Sequence, residues 1–314
     1  PWCPESPYLY WLSTKLFVKG KGLSDFLRTR FGFREVWVKD GAFYLNGRRV
    51  RLYGESAYNT LAIHMCDRRF ARLFMRVLKR LGMNCFRPHG TCGPEFLLDI
   101  ADEEGILVDY ESGVVFNYYR WDDERFWRNV EEEFRAWIEE GRNHPSLFVW
   151  SAGNEIAGYY CCPARYDDEN FPPKHPPKER CRRLARIIRK FDRTRPVMHH
   201  GDGNIPGSEV INFHVYDWFS DPLDEYCEWP SAWARTRRKP LVFGEFGFPY
   251  YHHYMRQYDP RDVFARWMGD EVYPLPGERR VRRGEGRADF ILADEARVKA
   301  KAVFCRRLVR AWRY

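Results

Sequence analysis

The fold class the sequence predicts is α/β, specifically a (β/α)8 TIM barrel, and three observations carry it. Short apolar runs of strand-forming residues alternate with longer stretches of helical periodicity, seven strand–helix units with no fixed sequence repeat. Two of the runs, Leu147–Trp150 and Leu241–Phe243, are apolar on both faces, as parallel strands covered by helices are, and each leads into small residues and then a carboxylate, Glu155 or Glu245. No Gly-rich phosphate loop follows an early strand, which argues against a doubly wound sheet. A length of 314 residues suits one barrel of about 250 residues with an appendage.

Taken in order, residues 1–30 read as strands, alternating and edged with prolines, like the last strands of a β-sandwich. Phe43–Asn46 and Arg48–Tyr53 form a hairpin around Asn46-Gly47, and its second arm is expected to become the first barrel strand. Asp67 caps a helix whose apolar positions Phe70, Leu73, Phe74, Val77, Leu78 and Leu81 recur at helical spacing until Gly82. Asn84–Arg87 is the second strand. Pro94 opens the next helix, Glu95–Glu104, which Gly105 ends. Ile106–Val108 is the third strand, followed by Asp109 and Glu111 and by a loop with Tyr118, Tyr119 and Trp121. Asp122 opens a long helix through Glu140, and Leu147–Trp150 is the fourth strand, with Trp150 read as a core residue. A Pro-rich segment from Cys161 to Pro177 precedes a helix over about Lys178–Phe191. Arg195–Met198 and Val210–Phe213 are strands five and six, Glu225–Arg237 a helix, and Leu241–Phe243 strand seven. Ala293–Trp312 reads as one amphipathic helix.

Composition excludes several classes. Hydrophobic residues make up 44% and charged residues 31%, which suits a globular protein rather than a disordered one or a coiled coil. The net charge of +8 permits nucleic-acid binding, but the basic clusters at Arg279–Arg283 and Arg306–Arg313 are mixed with acids or lie on helix-like stretches, so they read as solvated faces. No nucleic-acid or membrane partner is expected. Nine cysteines lack paired spacing, so no zinc or disulfide framework is read, and Cys85, Cys181 and Cys305 are expected as buried thiols. His199-His200 and His252-His253 do not have metal-ligand spacing, and no metal or cofactor is called for. The chain opens on Pro1 rather than Met, so a longer natural N-terminus is expected, and localisation and oligomeric state are left open.

The chemistry lies in two stretches. In Arg142–Glu155, RNHPSLFVWSAGNE, the small residues Ser151, Ala152 and Gly153 let the backbone turn and deliver Asn154 and Glu155 to the carboxyl end of the strand, where barrel enzymes keep their sites. In Lys239–Phe248, KPLVFGEFGF, Glu245 sits among glycines and phenylalanines where an idle charge is costly. A single Glu after a strand is more often a helix-terminal charge or a solvated loop residue. Two carboxyl groups at the ends of two buried strands are what glycoside hydrolysis requires.

On these motifs the chain resembles the retaining (β/α)8 glycoside hydrolases and, more narrowly, glycoside hydrolase family 2, the family of β-galactosidases, β-glucuronidases and β-mannosidases. PWCPESPYLY at Pro1–Tyr10, RFGFR at Arg30–Arg34, and Asn84–Arg87 with His89 are similar to that family's text. The resemblance implies an exo-β-glycosidase in which Glu155 is the acid/base and Glu245 the nucleophile. It implies that Asn154 binds the sugar 2-hydroxyl, that Tyr216 and Arg87 hold the nucleophile, and that His89, His214 and Trp218 line the sugar site. His64 stands near a family histidine position without clearly filling it. Tyr159, Tyr160, Tyr250 and Tyr251 are further candidates for sugar platforms. Residues 1–38 are then the end of an immunoglobulin-like sandwich and 39–314 the barrel, whose eighth strand is expected to be missing, leaving an open or gapped barrel with weak or no activity on its own and poor solubility. An endo-acting β-glycanase of the same barrel group and an inactive carbohydrate-binding fragment are the alternatives. The text GEFGF is nearer the mannosidase wording, RPHGT lacks a mannosidase's Gly-rich turn, and the Asn-x-Lys of β-glucuronidases is not found, so the sugar is left open.

Overall fold

A computed structural model describes residues 1–57, 66–90, 93–116, 119–156, 177–215 and 233–246. The chain divides into two compact units, Pro1–Phe213 with Arg237–Gly244, and His214–Thr236 with Glu245–Tyr314.

The first unit opens with an antiparallel ribbon of β1 (Tyr10–Val18) and β2 (Gly22–Phe31), exposed from residue 10 to residue 28. A three-stranded meander follows, β3 (Val36–Lys39), β4 (Ala42–Leu45) and β5 (Arg48–Val50). Its Asn46-Gly47 turn has φ of 51° and 80°, the two positive values that a tight hairpin needs. Then the α/β alternation begins: β6 (Gly54–Ala57), α1 (Arg68–Arg80), β7 (Cys85–Pro88), α2 (Phe96–Glu104), β8 (Leu107–Glu111), α3 (Glu124–Gly141), β9 (Leu147–Asn154), α4 (Pro177–Phe191) and β10 (Val197–His200). These five strands form one parallel sheet in sequence order, with β6 and β10 at its edges. Three short strands, β11 (Gly203–Asn204), β12 (Ile211–Val215) and β13 (Leu241–Phe246), make a further sheet, and β12 and β13 each run on into the second unit.

Two apolar layers hold the first unit together. The outward residues of the parallel strands, among them Phe86, Val108, Tyr110 and Trp150, pack against Met75, Leu98, Phe134 and Ile188 of the helices. Trp137 meets Trp150 edge to face at 4.6 Å between ring centres. The inward layer gathers Cys85, Leu107, Phe148 and Met198 around Trp2, which is fully buried. Most of these residues stand at the N-terminal ends of their strands, so Trp2 and the meander residues Phe43 and Leu45 plug that end of the sheet. Trp2 is fixed there by Nε1 donating to the Asp102 carbonyl at 2.8 Å. Arg34 reaches the same end, donating to the carbonyls of Pro145 at 3.1 Å and Leu147 at 2.7 Å.

Several expectations need correction. The second hairpin arm ends at Val50, and a separate strand, β6, is the first of the parallel sheet. On α1 the buried positions are Ala71, Met75 and Leu78, whereas Leu73, Val77 and Leu81 are 61%, 42% and 67% exposed. The helix carries apolar residues on two stripes, and the one with the small Ala71 allows the closer approach to the sheet. Asp123, not Asp122, caps α3, its side chain accepting from Arg125 N at 2.8 Å. Asp109 and Glu111 are within β8 rather than beyond it. The strand β11 has no apolar signal and was not foreseen. Trp150, and the thiols of Cys85 and Cys181, are buried as expected. His64, Tyr118, Tyr159, Tyr160, the Pro-rich segment 161–176, Tyr216, Trp218, Tyr250, Tyr251, Cys305 and the helix expected over 293–312 lie outside the described residues, as does any eighth strand beyond residue 246.

Candidate active site

At the carboxyl end of β9 the chain leaves the sheet through Gly153, where a Cβ would collide with the Ile156 side chain and stand 2.9 Å from the Val114 carbonyl. Only glycine fits. Asn154 N donates to Val114 O at 3.0 Å, and Phe116 N to Asn154 O at 2.7 Å, so the residues after β8 clamp the turn. Glu155 then adopts φ of 53°, a left-handed conformation costing a side-chain-bearing residue roughly 1–2 kcal/mol, and its N–H donates to the His200 carbonyl at 2.8 Å. Bonds from β10 and from the residues after β8 hold the strained backbone in place.

Alternation along the strands brings a polar cluster to the same end. Arg87 on β7 and Asp109 and Glu111 on β8 face inward, opposite the apolar residues between them. Arg87 is buried and donates from Nε at 2.7 Å and from Nη2 at 2.5 Å to Glu111 Oε2, while Gly90 N donates to Glu111 Oε1 at 2.7 Å. Burial alone would raise the Glu111 carboxyl, but the Arg87 charge and the donors around it outweigh that and hold it well below the usual carboxylate range. Arg87 Nη2 also donates to Asn154 Oδ1 at 2.7 Å, which turns the Asn154 amide so that its NH2 end is the donor left for a ligand. His89 Nδ1 stands 2.8 Å from Arg87 Nη2 and 3.2 Å from Glu111 Oε1.

Beneath this cluster a second chain of bonds crosses the strands. Gly201 N donates to Asn212 Oδ1 at 3.0 Å, which fixes that amide and aims its Nδ2 at His200 Nδ1, 3.2 Å away. His200 Nε2 then donates to Asp109 Oδ2 at 2.6 Å. Burial, and the Glu111 charge against that of Arg87, push the Asp109 carboxyl well above its ordinary value.

Glu155 itself is mostly buried. Burial raises its carboxyl to about 7, more than the charges of His89 and Arg87 lower it, and the Glu111 charge raises it further. It is a carboxylic acid poised to give a proton near neutral pH.

In the second unit, His214 is fully buried and its Nε2 lies 3.7 Å from Glu245 Oε1. Glu245 directly follows Gly244, the last residue of β13 that belongs to the first unit. Of the expected site residues, the structure thus brings together Arg87, His89, Asn154 and Glu155 in one unit, and His214 and Glu245 in the other. Asp109, Glu111, His200 and Asn212 were missed as site residues. The signal was present, since LVDYES places two acids at alternate positions of a buried strand, where charge needs a partner.

Elsewhere, the ligand atoms of Asp99, Asp102 and His144 lie within 4.8 Å of one another, close enough to hold a metal ion. Their bonds are already committed: Asp99 pairs with Arg30 at 2.5 Å, and Asp102 accepts from Ser146 N at 2.9 Å and meets His144 Nδ1 at 2.7 Å.

Residues 36–266 match the family model described as glycosyl hydrolases family 2, TIM barrel domain. The chain belongs to glycoside hydrolase family 2. Among its relatives in the family are a putative β-glucuronidase of Formosa agariphila, 36% identical over 49% of this chain and 15% of its own length, and a β-glucuronidase of Paenibacillus borealis, 28% identical over 78% and 43%. The chain therefore spans less than half of either relative. The fold is shared with a β-galacturonidase of Eisenbergiella tayi solved with galacturonate bound, at a TM-score of 0.60, 24% identity and coverage of 78% of this chain and 44% of that one. It is shared too with the Bifidobacterium dentium β-glucuronidase complexed with coumarin-3-O-glucuronide, at 0.63, 21%, 84% and 45%.

Proposed function

We propose that this chain carries a retaining exo-β-glycosidase site, cleaving terminal β-linked sugars by double displacement with Glu155 as acid/base and Glu245 as nucleophile. The observation that carries the reading is the placement of Glu155 at the carboxyl end of β9, with its carboxyl raised by burial to about 7, so that a large share of it holds a proton to give at neutral pH. In the first step a Glu245 oxygen bonds to the anomeric carbon as the glycosidic bond breaks, and the Glu155 proton goes to the leaving oxygen. In the second, Glu155 takes a proton from water, whose oxygen bonds to the anomeric carbon and frees Glu245. Retention requires the two carboxyl groups to work roughly 5 to 5.5 Å apart. Asn154, held by Arg87, offers its NH2 to the sugar 2-hydroxyl, and His214 stands beside the nucleophile. The names of the relatives make β-glucuronides the first substrates to try.

The same reading extends to residues 1–38 as the closing strands of an immunoglobulin-like sandwich. Its support is the antiparallel ribbon itself, which exposes apolar residues on both faces, Tyr10, Leu12, Leu16 and Leu27 on one and Trp11 and Phe26 on the other.

A panel of nitrophenyl β-glycosides tests the activity. Glu245→Gln should abolish turnover. Glu155→Ala should keep hydrolysing substrates with good leaving groups, and azide should rescue it as the β-glycosyl azide. An α-azide product would exchange the two roles, and turnover of the panel by Glu245→Gln at the wild-type rate would overturn the reading.

A further inference from the structure

His200 is not needed by the mechanism above, yet it touches both of the strands that carry the glutamates. Its carbonyl accepts from Glu155 N at 2.8 Å, the bond that holds the left-handed turn of the acid/base. Its ring lies between Asp109 Oδ2 and Asn212 Nδ2, with the tautomer set by the Gly201–Asn212 bond. The edge of that ring and the Asn212 amide fill the space where a Cβ on Gly244 would stand, so β13 rests on them one residue before Glu245. The imidazole, 1% exposed, is thus a rigid spacer with three fixed sides.

We infer that His200 is a positioning residue for the glycosylation step, seating through its backbone the turn of Glu155 and through its ring the strand that leads to Glu245. This rests on the assignment of the two glutamates as the catalytic pair. Replacing the ring releases Asp109 and Asn212 together and leaves β13 free to sink toward the gap. A misplacement of about 1 Å in a reacting group can cost on the order of a hundredfold in rate.

The test uses the full chain and a 2-deoxy-2-fluoro β-glycosyl fluoride of whichever sugar the wild type hydrolyses, which traps the covalent glycosyl-enzyme. The rate constant for labelling, measured per active site by intact mass, reports the geometry of the folded site and does not change when part of the sample is merely unfolded. His200→Ala should label on the order of tenfold to a hundredfold more slowly, with kcat reduced more than KM is raised. His200→Gln, which keeps a donor for Asp109, should recover part of that loss. Gly244→Ala should slow labelling similarly by pressing on the intact ring. If His200→Ala does not fold, His200→Gln and Gly244→Ala decide the matter alone. Wild-type labelling rates per site in the variants that fold would overturn the inference while leaving the proposed function standing. Failure of the wild type to label at all would instead remove the reading on which the inference rests.

Discussion

The carboxyl of Glu155 couples catalysis to stability. Its raised value of about 7 places the alkaline limb of kcat/KM near that pH, because the free enzyme must hold the proton it will give. A dinitrophenyl glycoside, whose leaving group needs no proton, should show that limb much weakened, and an unchanged limb would assign it to another group. The linkage to folding has a definite sign. A carboxyl of ordinary value in the unfolded chain and raised in the folded one stabilises the fold fully below about pH 4.5, and that contribution is lost as pH rises through 7. Glu155→Gln should therefore be more stable than the wild type at pH 8, by on the order of 1–3 kcal/mol in denaturant melts, with the difference vanishing below pH 4.5. Glu155, Asn154 and Arg87 were legible in the sequence because each sits at the end of a recognisable strand. Their partners Glu111 and His200 were not, because which inward residues meet across a barrel depends on strand stagger, and that leaves no mark on any one strand.

At the scale of elements, β9 is held at both ends. Its carboxyl end is fixed by Val114 and His200. Its beginning is fixed by the turn after α4, where Asp192 Oδ2 accepts from Trp150 Nε1 and from Arg195 Nη1, each at 2.8 Å. Arg195 in turn donates to the carbonyls of Leu147 at 2.9 Å and Arg142 at 2.7 Å. Asp192→Ala leaves a buried guanidinium without its carboxylate and should cost about 3–5 kcal/mol, read as a lowered midpoint in urea, whereas a cost under about 1 kcal/mol would show the clamp to be ornamental. On the outer side of β10, His199 is fully buried against α4, and burial lowers it to about 4. Here the sign is reversed. Stability present above pH 6.5, the ordinary value, falls away as acid approaches pH 4, by up to about 3 kcal/mol. His199→Phe should remove that acid sensitivity, and an equally steep loss in the variant would place its origin elsewhere. The helices were legible in extent but not always in facing, as α1 shows, because a helix with two apolar stripes does not declare which one meets the sheet.

At the scale of the molecule, the alternation of strand and helix was legible because it rests on period alone. The plug was not. Trp2 lies in a segment that reads as sandwich, and nothing in PWCPESPYLY announces that its indole fills the N-terminal end of the parallel sheet. Trp2→Ala should cost about 3–5 kcal/mol and should lower glycosidase turnover only in proportion to the folded fraction, since Trp2 stands at the opposite end of the strands from Glu155. A turnover loss exceeding the folded fraction would mean that the two ends of the sheet communicate.

The plug bears on how such a protein can be recombined. A barrel whose floor is finished by Trp2 cannot be exchanged as a cassette that begins near residue 36, where the family match starts. A graft made there strands Phe148 and Met198 around an empty hollow and leaves the Asp102 carbonyl without its indole donor. A viable crossover must fall before Trp2, so that the barrel keeps the segment that carries its plug. The exchangeable unit is then longer than the stretch that matches the family model.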